Sequence, residues 1–135
     1  MLPRELTRKI QIGDRAIGGQ NRVLIQSMCS IKTSRIAEVV AQIRRVTLLG
    51  ADLMRVSVLD EEDAVAIREI KKQISIPLVA DIHLDYRLAL LAIENGVDKI
   101  RINPGNIGSE DKIKAVVEAC QKHRVPIRVG VNSGS

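Results

Sequence analysis

Arginine, aspartate, histidine and asparagine recur in this chain at every second position of short apolar runs. Arg55 and Ser57 alternate with Met54, Val56 and Val58. Asp81 and His83 alternate with Ala80 and Ile82, and Arg101 and Asn103 with Ile100 and Ile102. Arg128, Gly130 and Asn132 alternate with Ile127, Val129 and Val131. In an extended chain alternate residues share a face. Each run therefore carries polar groups on one side and aliphatic groups on the other. Three arginines brought to one place repel each other unless an anion joins them. Guanidinium is the side chain best shaped for bidentate contact with phosphate. The pattern predicts a phosphate or diphosphate ligand held by Arg55, Arg101 and Arg128. The competing arrangement pairs these arginines with Asp81 or other acids as structural ion pairs. His83 could donate a proton or a hydrogen bond to a bound substrate, and no other catalytic residue suggests itself. The segment Asn103-Pro104-Gly105-Asn106-Ile107-Gly108-Ser109 joins a strand to a helix, and its backbone amides could form an anion nest or an ordinary turn.

A parallel sheet is needed to bring these runs together. Strands are expected over 22–28, 52–58, 76–82, 98–103 and 126–131. Between them lie amphipathic stretches at 34–49, 60–73, 85–95 and 109–123. The first opens at Ser34, a plausible cap, and is followed by Gly50. The second begins Asp60-Glu61-Glu62-Asp63 and ends Lys71-Lys72, the charge order that a helix dipole favours. Residues 1–21 form a separate N-terminal segment, with a hairpin turning at Gly13-Asp14. Strand alternating with helix means βαβ units. A doubly wound sheet would place Gly-x-Gly-x-x-Gly after its first strand, whereas here that strand ends Gln26-Ser27-Met28-Cys29. A partial (β/α)8 TIM barrel is the expected fold: the hairpin, then about five βα units over 22–135. The polar faces would line its mouth at the C-terminal strand ends. A full barrel has eight strands and about 250 residues, so the later strands are expected to be absent from this chain.

Composition narrows the function classes. The net charge is +5 and Tyr86 is the only aromatic residue. Without aromatic platforms or a long basic run, nucleic-acid binding is not expected. No stretch is apolar enough for a membrane span or a signal peptide, and a reduced cytoplasmic setting is expected. Cys29 and Cys120 lie far apart and cannot build a metal site by themselves, so a passive role is expected for both. Cys29, just past the first strand, could be exposed near the mouth. His123 sits at a helix end between Lys122 and Arg124, as a solvated partner of the dipole.

Taken in order, several segments carry a resemblance. They are Gln26-Ser27-Met28, Gly50-Ala51-Asp52-Leu53-Met54-Arg55-Val56-Ser57, Pro77-Leu78-Val79-Ala80-Asp81-Ile82-His83, Tyr86-Arg87, Arg101-Ile102-Asn103-Pro104-Gly105-Asn106-Ile107-Gly108 and Ile127-Arg128-Val129-Gly130-Val131-Asn132-Ser133-Gly134-Ser135. Over nearly its whole length the chain resembles the N-terminal part of the 4-hydroxy-3-methylbut-2-enyl diphosphate synthases of the non-mevalonate isoprenoid pathway. The loop Cys29–Ile36 departs from the Thr-Asn-Thr and acidic pattern of that family.

The resemblance implies an oxidoreductase. It would open and dehydroxylate 2-C-methyl-D-erythritol 2,4-cyclodiphosphate, using electrons from ferredoxin or flavodoxin. It implies a homodimer with a C-terminal iron–sulfur domain, absent from this chain, that holds a 4Fe-4S cluster. It also implies that Arg55, Arg101 and Arg128 contact the diphosphate while Asp81, His83, Asn103 and Asn132 line the same pocket. The 135-residue chain alone is expected to be inactive. The alternative is a complete but truncated gene product, a non-catalytic half-barrel that binds anions.

Overall fold

A computed structural model describes residues 6–19 and 21–131. Its elements run β1 (Ile10–Ile12), β2 (Arg15–Ile17), β3 (Gln26–Met28), α1 (Ile36–Leu48), β4 (Leu53–Val58), α2 (Glu61–Gln73), β5 (Leu78–Ile82), α3 (Tyr86–Glu94), β6 (Lys99–Ile102), α4 (Pro104–Ile107), α5 (Glu110–His123) and β7 (Ile127–Val129). Strands β3 to β7 form one parallel sheet in the order of the sequence. A doubly wound sheet reverses its strand order at a switch point. No reversal occurs here, so this is a stretch of barrel wall.

Period two on the strands decides where the core lies. Met54, Val56, Val58, Leu78, Ala80, Ile82, Ile100 and Ile102 are buried against the helices. They meet Val39, Val40 and Ile43 of α1, Ala64, Ile67 and Ile70 of α2, Ala89, Ala92 and Ile93 of α3, and Val116 and Cys120 of α5. Burying each larger aliphatic side chain contributes about 1.5–3 kcal/mol. This outer layer is therefore what holds the helices to the sheet. The other face of β4 and β5 is apolar only at its beginning, at Leu53 and Val79.

Local signals fix the helix starts. Asp60 accepts a hydrogen bond from Asp63 N at 2.9 Å, and Asp85 caps α3 through Arg87 N at 2.9 Å. Ser34 does not cap α1. Arg35 holds that position without a side-chain cap, and the Ser34 amide donates to the buried Asp63 carboxylate at 2.9 Å. Asp63 also accepts from Leu59 N and from Lys32 Nζ, so one acid pins the loop after β3 to the loop after β4. The divergent segment Cys29–Ile36 is thus anchored by contacts within this chain.

Two aspartates set the strand starts. Asp52 accepts from Ile25 N at 2.8 Å and is bridged by Arg22; Asp98 accepts from Leu78 N at 2.8 Å and is bridged by Lys71. Each acid precedes a strand and ties the neighbouring strand's first turns to it. That clasp explains why the predicted first strand, 22–28, narrows to Gln26–Met28. Ile25 meets Asp52 before β4 begins, and the residues ahead of it run past the end of their neighbour. The N-terminal hairpin closes the lower end of the sheet. Ile12 is fully buried. Gly13 turns at φ +55°, with the place of a Cβ only 3.0 Å from Pro77 Cγ.

Candidate functional site

At the upper, C-terminal end of the sheet the register sets the polar residues side by side. Met28 pairs with Arg55, Ser57 with Asp81, Asp81 with Arg101, and Arg101 with Arg128. All lie on the face opposite the helices. Asp81 is the hub, with its side chain only 4% exposed. Its Oδ1 accepts from Arg101 Nη1 at 3.1 Å. Its Oδ2 lies 3.4 Å from Arg55 Nε and 3.9 Å from His83 Nε2. Arg55 Nε also points at Met28 Sδ, 3.1 Å away.

Electrostatics decides between the two expectations raised by the pattern. Asp81 does pair with arginine, as the structural alternative required. Yet one carboxylate serves two guanidiniums. Arg128 is exposed on β7 and makes no ion pair with an acid among the described residues. Two positive charges therefore stay uncompensated at the strand ends. Arg55 and Arg101 are 27% and 18% exposed, so they can reach solvent or a ligand without leaving Asp81. His83 is 48% exposed at the rim. Arg55, Asp81, His83 and Arg101 are thus brought together, whereas Arg128 is in register with Arg101 but lines a cleft with Ile12, Leu53 and Lys99. Asn132 lies outside the described residues.

Asn103 reaches the same end of the sheet but is buried, and its Oδ1 accepts from Gly105 N at 3.0 Å. Asn106 N donates to Asn103 O at 2.9 Å. Two amides of the expected nest are therefore spent inside the turn, because the chain enters the short helix α4 there, an element the sequence patterns did not separate. Cys29 is buried rather than exposed. Its Sγ donates to Gln42 Oε1 at 2.9 Å, and burial raises its pKa above the ordinary thiol value. Cys120 is buried in the helix layer, and burial pushes its thiol up to about 11. Among the described residues no group of three His, Cys, Asp or Glu side chains could hold a metal.

One residue of the inner face escaped the pattern. Lys99 shares the face of Arg101, one step down the strand, and is only 8% exposed. Burial lowers its pKa first, and the charge of Arg128 lowers it further. Its position at the start of the strand conceals it, since sequence gives no sign of which strand starts are covered.

These strand ends match a known family. The model of the GcpE TIM-barrel domain covers residues 7–135. The chain belongs to that family. It is 58% identical over 132 residues to the 4-hydroxy-3-methylbut-2-en-1-yl diphosphate synthase (flavodoxin) of Caldanaerobacter subterraneus subsp. tengcongensis, covering 98% of this chain and 37% of that protein. It is 57% identical to the enzyme of the same name from Macrococcus caseolyticus, over 98% of this chain and 36% of the relative. The Anoxybacillus flavithermus enzyme is 56% identical over the full 135 residues, which span 37% of its length. The chain thus spans a little over a third of these GcpE relatives. Among solved structures, a dihydropteroate synthase from Xanthomonas albilineans superposes with a TM-score of 0.69 at 16% identity, over 95% of this chain and 51% of that one. At that identity the likeness confirms the barrel-wall fold alone. No helix among the described residues is long and apolar enough to cross a membrane.

Proposed function

We propose that this chain supplies the diphosphate-binding wall of a 4-hydroxy-3-methylbut-2-en-1-yl diphosphate synthase. The observation that carries the reading is the excess of positive charge around Asp81. Arg55 and Arg101 share one carboxylate, and Arg128, beside Arg101 in the sheet register, adds a further guanidinium, which leaves positive charge for an anion. The substrate would be 2-C-methyl-D-erythritol 2,4-cyclodiphosphate, consumed in a two-electron ring opening and loss of hydroxyl. Arg101 and Arg55, oriented by Asp81, would hold one phosphoryl group, and Arg128, free of acid, would reach a second. His83 at the rim could donate a hydrogen bond or a proton to a substrate oxygen. Asn103 would contribute through its amide nitrogen, since its oxygen is engaged with Gly105 N. Asn132 is proposed as a further substrate contact.

The reaction needs reducing equivalents, and the relatives' name specifies flavodoxin. Flavodoxin or ferredoxin would deliver electrons to a 4Fe-4S cluster in a C-terminal domain of the longer protein, which would act as a homodimer in the cytoplasm. This chain's own cysteines do not suit such a cluster. Cys29 and Cys120 are both buried and held protonated by burial. No step is therefore assigned to the cluster here. Residues 1–21 would serve as the base of the barrel and 22–135 as its binding wall.

Calorimetric titration of the cyclodiphosphate into the chain and into Arg101→Ala tests the reading. Losing a charge-assisted contact worth about 1.5–3 kcal/mol should weaken binding roughly tenfold or more. Equal affinity for both proteins would remove Arg101 from the site.

A further inference from the structure

We infer that Gly130 is a positioning residue for Arg101: its bare α-carbon forms the floor on which the Arg101 guanidinium lies. This deepens the diphosphate reading above and rests on it. A Cβ built on Gly130 would stand 2.6 Å from Arg101 Nη2, 2.8 Å from Nε and 2.9 Å from Cζ. Carbon does not approach nitrogen so closely without a bond, so the guanidinium occupies the space that any other side chain would take. The opposite edge of the same group meets Asp81 at 3.1 Å. Arg101 is held between a carboxylate on β5 and a glycine just past β7.

The backbone at 130 is not what demands glycine. Gly130 lies outside the left-handed region, which among the described residues is entered by Gly13, Gly18, Gly19, Gly50, Gly96, Gly108 and Arg124. Its amide donates to Ile102 O at 2.9 Å, extending the β6–β7 ladder, and alanine can make the same bond. What alanine cannot do is leave Arg101 in place. The clashing atoms are the far end of a flexible side chain, so the fold can yield by swinging the guanidinium aside. The effect of a methyl group at 130 should therefore fall on anion binding rather than on folding. Arg128 pairs with Arg101 in register, two residues before Gly130, so the strand that carries the exposed guanidinium also seats the half-buried one.

The test uses inorganic pyrophosphate as the probe, on the wild-type chain, Gly130→Ala, Arg101→Ala and the double variant. Gly130→Ala should lower affinity by about fivefold or more, with an unfolding midpoint no lower than that of Arg101→Ala. In the Arg101→Ala background the same change should alter affinity by less than about twofold, because the residue it acts through is gone. Wild-type affinity in Gly130→Ala, or an undiminished loss in the double variant, would overturn the inference. Should Gly130→Ala fail to fold, the double variant must recover folding, since it removes the clashing group; no recovery would overturn the inference as well. If the wild-type chain does not bind pyrophosphate, the diphosphate reading fails by itself. The inference is then decided by the Nε–Hε resonance of Arg101, which must shift in Gly130→Ala for it to stand.

Discussion

Replacing Asp81 by asparagine takes away the one negative charge that Arg55 and Arg101 share while keeping the size of the side chain. Removing one partner of a buried ion pair costs about 3–5 kcal/mol, because the other charge is left stranded. Here the stranded groups are 18% and 27% exposed and can partly rehydrate, and the amide oxygen still accepts a hydrogen bond. The expected loss is therefore nearer about 2 kcal/mol. It should be visible as a lower urea midpoint by circular dichroism in low-salt buffer without multivalent anions. The same substitution raises the uncompensated charge of the Arg55–Arg101 pair from one to two. Pyrophosphate should then stabilise the variant more than the wild type. At an anion concentration about a hundredfold above the dissociation constant, binding adds about 2.7 kcal/mol, enough to cover the loss. A variant as stable as wild type in anion-free buffer, or one that pyrophosphate does not rescue, would refute the placement of Asp81 at the centre of the cluster.

Asp52 and Lys99 give pH signatures of opposite origin. Arg22 and the Ile25 amide hold Asp52 down at about 2, against 3.8 for a free aspartate. The stability this brings is complete above 3.8 and is lost as pH falls from there to about 2. Because Arg22 is 63% exposed, water screens the pair and the contribution is small. Acid titration of the urea midpoint should show a smaller drop in Asp52→Asn than in wild type; equal drops would discard the clasp. Lys99 is a base whose folded pKa lies below 10.5, so the unfolded chain binds the proton more tightly and stability should rise as pH climbs toward 10.5. Lys99→Met should abolish that rise and raise the melting temperature at neutral pH, and a less stable variant would contradict a cost of burying the charged side chain.

The strands and helices that carry period-two or helical patterns were legible as far as their patterns ran. Leu53–Val58 and Glu61–Gln73 lie within a residue of the expected ranges because an acid, a glycine or a proline marks their limits. The polar face of the strand ends was legible for the same reason, since alternation alone sorts Arg55, Asp81 and Arg101 from Val56, Ile82 and Ile102. Tertiary choices were not legible. The cap position of α1 falls at Arg35 rather than Ser34, Gln42 draws Cys29 inward, and Gly105 N claims the Asn103 oxygen. Each depends on the assembled fold or on one turn's conformation. The role of Gly130 is hidden in another way, since only the path of a neighbouring side chain gives the missing methyl its meaning.

A single carboxylate serving cations from two neighbouring strands also shapes how this surface can drift in evolution. A neutral residue at 81 strands Arg55 and Arg101 together, and losing either arginine changes what Asp81 must balance. Substitutions at positions 55, 81 and 101 should therefore be accepted in concert, with position 130 admitting larger residues only in lineages where 101 has ceased to be arginine. Neighbouring exposed positions such as Val129 and Leu84 stay free to vary one at a time.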